Sequence, residues 1–162
     1  HKEVFVDVPF LLGIYPAERA ATPLTALGRA DERRQKMDSY MILTNNPLAA
    51  RKLEGRRTVC YISVPYEELL REAEKKICQG HRLLSHPLSG SVKPKETPYK
   101  SIMLSGKKEE VDPQSVRMIE AAIQTCEKFT DRQKSYGQEV YEDFQLIDWT
   151  LLESAMESAD VW

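Results

Sequence analysis

Short apolar runs alternate with helical patterns between Tyr40 and Gln79, and this alternation constrains the fold more than any other feature of the sequence. Tyr40 to Thr44 is an apolar run of strand length, and Thr58 to Val64 is a second run that is rich in β-branched residues. Asn46 followed by proline has the cap and first-turn residues of a helix between them. Pro65 to Gln79 then places apolar residues on one helical face. The segment therefore predicts the order β-α-β-α.

Further strands are predicted downstream, at His81 to Ser85 and at Tyr99 to Ser105. Asp112-Pro113 opens a long helix with a buried stripe, which we expect to end before Gly137. Asp143 to Ile147 is interpreted as a fifth strand. Strands that alternate with helices are typical of a three-layer α/β sandwich, and we predict a mostly parallel sheet of four to five strands.

The C-terminal region allows two interpretations. Thr150 and Glu153 have the spacing of a capping box, which predicts a short final helix through Met156. The alternative is one unbroken helix from Gln138 that replaces both the fifth strand and the short helix.

Residues 1–39 differ from the rest because prolines and glycines interrupt them, and we expect a weakly ordered extension with one short strand at Val4 to Val8. Residues 40–162 are predicted to form a single α/β domain. The apolar run from Val4 to Tyr15 is too short to span a bilayer, and no signal peptide is predicted.

The overall charge argues against some classes of partner. The formal net charge is -2 and the pI is about 6.0, so a nucleic-acid partner is not expected. The charges are nevertheless uneven: Val92 to Lys108 holds five lysines and one glutamate, whereas Gln138 to Trp162 holds seven acids and no Lys or Arg.

The three cysteines, Cys60, Cys78 and Cys126, lie far apart in apolar patterns without metal spacing. This favours reduced core cysteines in a cytoplasmic protein.

One candidate ligand site follows the first strand of the domain. Thr44, Asn45 and Asn46 lie where that strand ends and a helix begins, and ligands of open α/β sheets bind at such places. The Asn amides could hold an anion or a carbonyl there. The alternative is structural, since an Asn cap and an Asx turn alone explain Asn46.

A second candidate is the long connection between Ser85 and Ser101. Connections of this length are often functional, and three prolines stiffen this one. Its Ser-Gly-Ser turn and lysines are suited to a small anion, phosphate or carboxylate, although they match neither a Walker loop nor a Gly-x-Gly-x-x-Gly fingerprint. The candidate ligand-binding residues of this connection are Ser85, His86, Ser89, Gly90, Ser91, Lys93 and Lys95.

His86 is a weak candidate for a general acid or base, because the pKa of a histidine lies close to neutrality. A hydrogen-bonded structural histidine at a strand end is the alternative. The local sequence has no metal-ligand spacing and no nucleophilic triad, so neither a metal nor a cofactor is predicted.

Two motifs carry a family resemblance. They are Met41-Ile-Leu-Thr-Asn-Asn-Pro-Leu48 and the stretch from Gly80 to Ser101, with Ser85-His-Pro-Leu-Ser-Gly-Ser91 at its centre. Both resemble the GrdX family, whose small proteins are associated with the glycine, sarcosine and betaine reductase systems of amino-acid-fermenting anaerobes. The resemblance implies an accessory protein with reductase components as partners, and it transfers no catalytic residue.

Three functional hypotheses remain open at this point. The first is an accessory protein that binds a small anionic metabolite, for which acetyl phosphate is an example. The second is a small enzyme acting on such a metabolite, with His86 as its acid or base. The third is an interaction module whose acidic C-terminal region, including Trp149 and Trp162, docks a partner.

Overall fold

The structure is a computed structural model that describes residues 3–6, 28–32, 39–89, 97–128 and 135–160. A mixed β-sheet lies between two layers of helices, and residues 28–32 form a helical turn. In chain order the strands and helices are β1 (Glu3–Val6), β2 (Tyr40–Thr44), α1 (Pro47–Leu53), β3 (Thr58–Ile62), α2 (Tyr66–Cys78), β4 (Ser101–Ser105), α3 (Pro113–Lys128) and α4 (Gln138–Asp160).

The sheet is mixed, so the predicted mostly parallel sheet of four to five strands is wrong. The described residues between 40 and 160 contribute three strands in the order β3-β2-β4, and β1 pairs with the outer side of β3. The pair β2 and β3 is parallel, whereas β4 is antiparallel to β2 and β1 is antiparallel to β3. The protein remains α/β overall.

The path of the chain between α2 and β4 explains why β4 is antiparallel to β2. Residues 81–85, predicted as a strand, form one isolated bridge, between Leu83 and Leu104, which is antiparallel. This segment therefore runs in the direction of β2, as expected for a strand that follows a crossover helix. The chain then reverses before β4, and no helix is found in the described part of that connection. Strands joined without a crossover run antiparallel.

The hydrophobic core is divided between the two faces of the sheet. Successive side chains of a strand point to opposite faces, and all five residues of β2 are buried. Leu43 belongs to the cluster that α2 and α3 cover, whereas Ile42 belongs to the cluster that α1 and α4 cover. Both faces of the central strand are thus removed from water.

The C-terminal region is one helix, α4, so the fifth strand predicted at Asp143 to Ile147 and the helix start predicted at Thr150 are both wrong. The Thr150 hydroxyl donates to the Leu146 carbonyl at 2.8 Å, which is an interaction within a helix rather than a cap. Trp149, Leu152 and Met156 are buried at helical spacing against the sheet. This packing stabilises the helix across the predicted break.

A charged cluster holds the C-terminal end of α4 against β2 and the start of β3. Asp160 pairs with Arg57 and accepts a hydrogen bond from the Tyr40 hydroxyl at 3.1 Å, and the Arg57 guanidinium lies 4.4 Å from the centre of the Tyr40 ring. Burial raises the pKa of Tyr40 to about 12, with Asp160 adding to the shift and the Arg57 charge opposing it.

Gly80 ends the turn after α2 in a conformation that only glycine adopts easily. Its φ is +110°, and a Cβ atom there would lie 2.1 Å from the Glu109 carbonyl oxygen. The backbone N–H of Glu109 donates to the Gly80 carbonyl at 3.0 Å, which holds the two segments together.

The cysteine prediction is confirmed in two of three positions. Cys60 and Cys126 are buried, Cys78 is exposed, and none of the three is in a disulfide.

Candidate functional site

Asn45 directly follows the carboxyl end of β2 and joins two other segments there, the residues after β3 and residues 97–100. Its side-chain amide donates to the Val64 and Pro98 carbonyls, both at 2.9 Å. Its Oδ1 accepts from the backbone N–H of Lys100 at 2.8 Å. One amide hydrogen and the carbonyl oxygen of Asn45 therefore hold residues 97–100 against the end of β2, and the other amide hydrogen binds the segment after β3.

Asn46 plays a similar part between α1 and α4. Its Oδ1 accepts from the backbone N–H of Leu48 at 3.0 Å, which is the expected N-cap bond. Its amide group donates to the Gln145 carbonyl and to Asp148 Oδ2, each at 2.9 Å. The cap of a short helix is thus also a contact with the long C-terminal helix.

Asp148 is the centre of this polar network. Its Oδ1 accepts from the backbone N–H of Ser101 at 2.9 Å, and its Oδ2 accepts from the Ser101 hydroxyl at 2.6 Å as well as from Asn46. The Thr44 hydroxyl lies 2.8 Å from the Ser101 hydroxyl and accepts from the backbone N–H of Asn46 at 2.9 Å. A carboxylate this deeply buried is tolerated because charge-assisted hydrogen bonds surround it.

Lys100 is the cation of the site, and it is held differently. Its ammonium donates to the Ser89 carbonyl at 2.6 Å and to the Ser89 hydroxyl at 3.0 Å. Among the residues that the structure describes, no carboxylate oxygen lies within 4 Å of Lys100 Nζ. Burial lowers the pKa of the Lys100 ammonium below its usual value, and the more distant Asp148 carboxylate opposes this shift.

The structure brings several of the predicted site residues together. Thr44, Asn45 and Asn46 adjoin one another, and Lys100 links Asn45 to Ser89. Because the hydrogen-bonding groups of the two Asn side chains are already used within the protein, their predicted role in ligand binding remains a prediction.

Two predicted residues lie apart from this network. The Ser85 hydroxyl accepts from the backbone N–H of Met103 at 2.9 Å, and His86 is exposed with its Nδ1 accepting from the Leu88 N–H at 3.1 Å. These are contacts of a strand edge and a local turn, and the acid or base role of His86 remains untested. Four further predicted residues, Gly90, Ser91, Lys93 and Lys95, lie outside the described residues.

The two charged residues at the centre of the site, Lys100 and Asp148, were not among the predicted site residues; Asp148 was expected to approach this sheet edge only if the strand order allowed it. Asp148 interrupts the apolar run of Leu146, Ile147 and Trp149, and an acid inside such a run is a signal of a buried, hydrogen-bonded carboxylate. Lys100 directly precedes the buried strand β4, which gives a weaker signal. Their proximity could not be predicted, because it depends on strand order and on α4 being one helix.

Within the described ranges, no three His, Cys, Asp or Glu residues are grouped so as to hold a metal ion. None of the helices described there combines the length and the apolar character needed to cross a membrane.

Comparison with known proteins identifies one family. The family model described as GrdX-like protein matches residues 41–157, which include every part of the site described above. Searches of curated proteins and of solved structures found no match.

Proposed function

Because the chain belongs to the GrdX-like family, we propose that it is an accessory protein of the glycine, sarcosine and betaine reductase system. The family suggests an association with the glycine reductase system, and the accessory role follows the resemblance of residues 41–48 and 80–101. We propose further that the protein binds a small anionic metabolite beside Lys100. The observation that carries this second step is a buried ammonium whose described partners are all neutral.

The energetics of Lys100 support an anion as the ligand. Removing an ammonium from water is costly unless a counter-charge or enough hydrogen bonds replace the solvent. Ser89 supplies two acceptors, while an ammonium has three N–H donors. An anion at the remaining donor would stabilise the charged form and raise the lowered pKa of Lys100.

The neighbours of Lys100 support a small anion. A small phosphate or carboxylate is suited to one lysine and one serine, since both groups accept charge-assisted hydrogen bonds. Acetyl phosphate is the specific candidate, because the resemblance connects the family with a pathway that produces it. Lys93 and Lys95, which the sequence adds to the same connection, would supply further positive charge.

Ligand binding can be tested by thermal unfolding and calorimetry. Acetyl phosphate, inorganic phosphate, glycine and betaine are each added to the parent protein and to Lys100→Met at constant ionic strength. We expect one of the phosphates to raise the Tm of the parent, and its affinity to fall about tenfold or more in Lys100→Met, since one charge-assisted contact contributes about 1.5–3 kcal/mol.

Lys107→Met is the matched control, because Lys107 is an exposed lysine beyond the far end of β4. It should bind the anion as the parent does. Equal weakening by both substitutions would indicate general charge attraction, and no binding by the parent would contradict the ligand proposal.

The association with the reductase needs a separate experiment. The purified 162-residue protein is mixed with purified glycine reductase components and studied by analytical ultracentrifugation, with and without acetyl phosphate. A complex with one of these components supports the accessory role, and its absence under both conditions contradicts that role without affecting the ligand proposal.

A further inference from the structure

The outward face of α4 carries apolar side chains that the fold leaves in water. Val140, Ile147 and Leu151 follow one another at spacings of seven and four residues, which places them on one stripe of a helix. They are 39%, 52% and 44% exposed, and Leu146 beside them is 56% exposed. The stripe is about 16 Å long at 1.5 Å per residue, which corresponds to three helical turns.

Acidic side chains accompany this stripe. Residues 138–160 contain seven acids and no Lys or Arg. Asp148 and Asp160 belong to the inner contacts of α4, so five acids remain on its exposed surface. No described lysine or arginine lies within 4 Å of these five carboxylates, which are Glu139, Glu142, Asp143, Glu153 and Glu157.

Several acids of the opposite layer are paired, unlike the five acids on the exposed surface of α4. On α2 and α3, Glu67 and Glu127 both pair with Arg71, and Glu72 pairs with Lys75. Three acids of those helices therefore have a basic partner in the same layer. The exposed surface of α4 instead has an apolar stripe beside a band of one sign of charge.

The charge decides which class of partner fits this surface. A second copy of the chain would bring two acidic bands together across the stripe, and like charges at an interface cost several kcal/mol. An anionic membrane surface would be repelled in the same way. A segment with Lys or Arg next to apolar residues satisfies both features, because its charges pair with the acids while its apolar side chains cover the stripe.

We propose that the outer face of α4 is a docking surface for an amphipathic, basic helix of a partner protein. Val140, Ile147 and Leu151 form its apolar centre, and Glu139, Asp143 and their acidic neighbours form its rim. The surface is independent of the network around Lys100, so the proposal holds whether or not the protein binds a small anion.

The experiment uses two model peptides of about three heptads each, which share a leucine stripe and differ only in their polar faces. One has a lysine face and the other a glutamate face, and each is labelled for fluorescence anisotropy with the 162-residue protein. We expect the lysine peptide to bind, with an affinity that falls as salt is raised, and the glutamate peptide not to bind.

Three variants test the location. Ile147→Ser combined with Leu151→Ser should weaken binding about tenfold or more, and Glu139→Gln combined with Asp143→Asn should reduce both the affinity and its salt dependence. Val111→Ser is the control, because Val111 is 46% exposed and lies outside α4. It should leave binding unchanged, and far-UV circular dichroism should show that all variants are folded.

Each other outcome would overturn the proposal. Binding of both peptides alike, or equal loss in Val111→Ser, would show non-specific adhesion. Failure of the lysine peptide to bind would show that the face does not accept a basic helix. A parent dimer that the Ile147/Leu151 variant dissociates, seen by sedimentation, would assign the face to a second copy.

Discussion

Lys100 and Asp148 are opposite charges that the fold buries to the same extent, 5% exposed each, but it treats them differently. Asp148 accepts three hydrogen bonds, from the backbone and hydroxyl of Ser101 and from Asn46. Among the described residues, the Lys100 ammonium donates two hydrogen bonds, both to Ser89. The Asp148 carboxylate joins α1, β4 and α4, whereas the Lys100 ammonium joins two parts of the connection between Ser85 and Ser101.

This difference separates a structural charge from a candidate binding group. Removal of Asp148 leaves three donors from two elements without their acceptor, and each buried donor left unpaired is costly. Removal of Lys100 leaves only acceptors of Ser89, and it also removes the cost of burying an ammonium. We therefore expect stability to depend on Asp148 and anion binding to depend on Lys100.

The largest effect is expected for Asp148→Ala. The free energy of unfolding, measured by urea denaturation, should fall by about 3–5 kcal/mol, because three buried donors lose their acceptor at about 1–3 kcal/mol each, and the removed burial cost of the carboxylate offsets only part of this loss. Asp143→Ala is the matched control, because Asp143 is an exposed acid of the same helix, and it should change stability by less than about 0.5 kcal/mol. Similar losses in the two variants would mean that Asp148 does not organise the site.

Asp160→Asn should have an intermediate effect, because the Asp160 side chain is 31% exposed where it pairs with Arg57. We expect a loss of about 1 kcal/mol, between the values for exposed and buried ion pairs. The same variant should lower the pKa of Tyr40 from about 12, since the Asp160 carboxylate contributes to that shift. Absorbance titration of the tyrosines measures it, and an unchanged Tyr40 titration would exclude the described contact.

Lys100→Met should change the free energy of unfolding by about 1 kcal/mol or less at pH 7, because the lost hydrogen bonds and the removed burial cost oppose each other. Denaturation of the parent and of Lys100→Met in the absence of phosphate provides the measurement. A loss as large as that of Asp148→Ala would make Lys100 structural, and the contrast between the two charges would disappear.

The smallest expected effect is the pH dependence of the difference in unfolding free energy between the parent and Lys100→Met. The pKa of Lys100 in the folded state lies below its ordinary value of 10.5, so between these two values the unfolded chain binds more protons. The free energy of unfolding of the parent, minus that of Lys100→Met, should therefore rise with pH from neutrality toward 10. The subtraction removes the contribution of Tyr40, which both proteins share. A difference that falls with pH would contradict a lowered pKa.

Local signals allowed the first half of the domain to be predicted. Asn46 and Pro47 mark the start of α1, and the β-branched run before Pro65 marks β3, because these features act over a few residues. The same reasoning failed at residues 81–85, where one bridge to Leu104 replaces a strand. Whether such a segment pairs along its length is decided by its neighbours in the sheet, which local sequence does not specify.

The fifth strand was predicted wrongly for a reason that is now visible. Phe144, Leu146 and Ile147 form a short apolar run, and such runs are ambiguous between strand and helix. The helical interpretation requires Leu146 and Ile147 to face solvent, which they do. The error thus has the same origin as the exposed stripe of α4. It also concealed the site, because Asp148 reaches Ser101 only when α4 is continuous.

The pKa of the Lys100 ammonium, measured by NMR with and without inorganic phosphate or acetyl phosphate, tests the central claim most directly. Spectra of the parent and of Lys100→Met, labelled with ¹³C at the lysine Cε, assign the resonance. We predict a pKa below 10.5 in the ligand-free protein and an increase when one of the two anions is added. A pKa of 10.5 or above, or one that neither anion changes, would contradict a buried cation that is available to an anionic ligand.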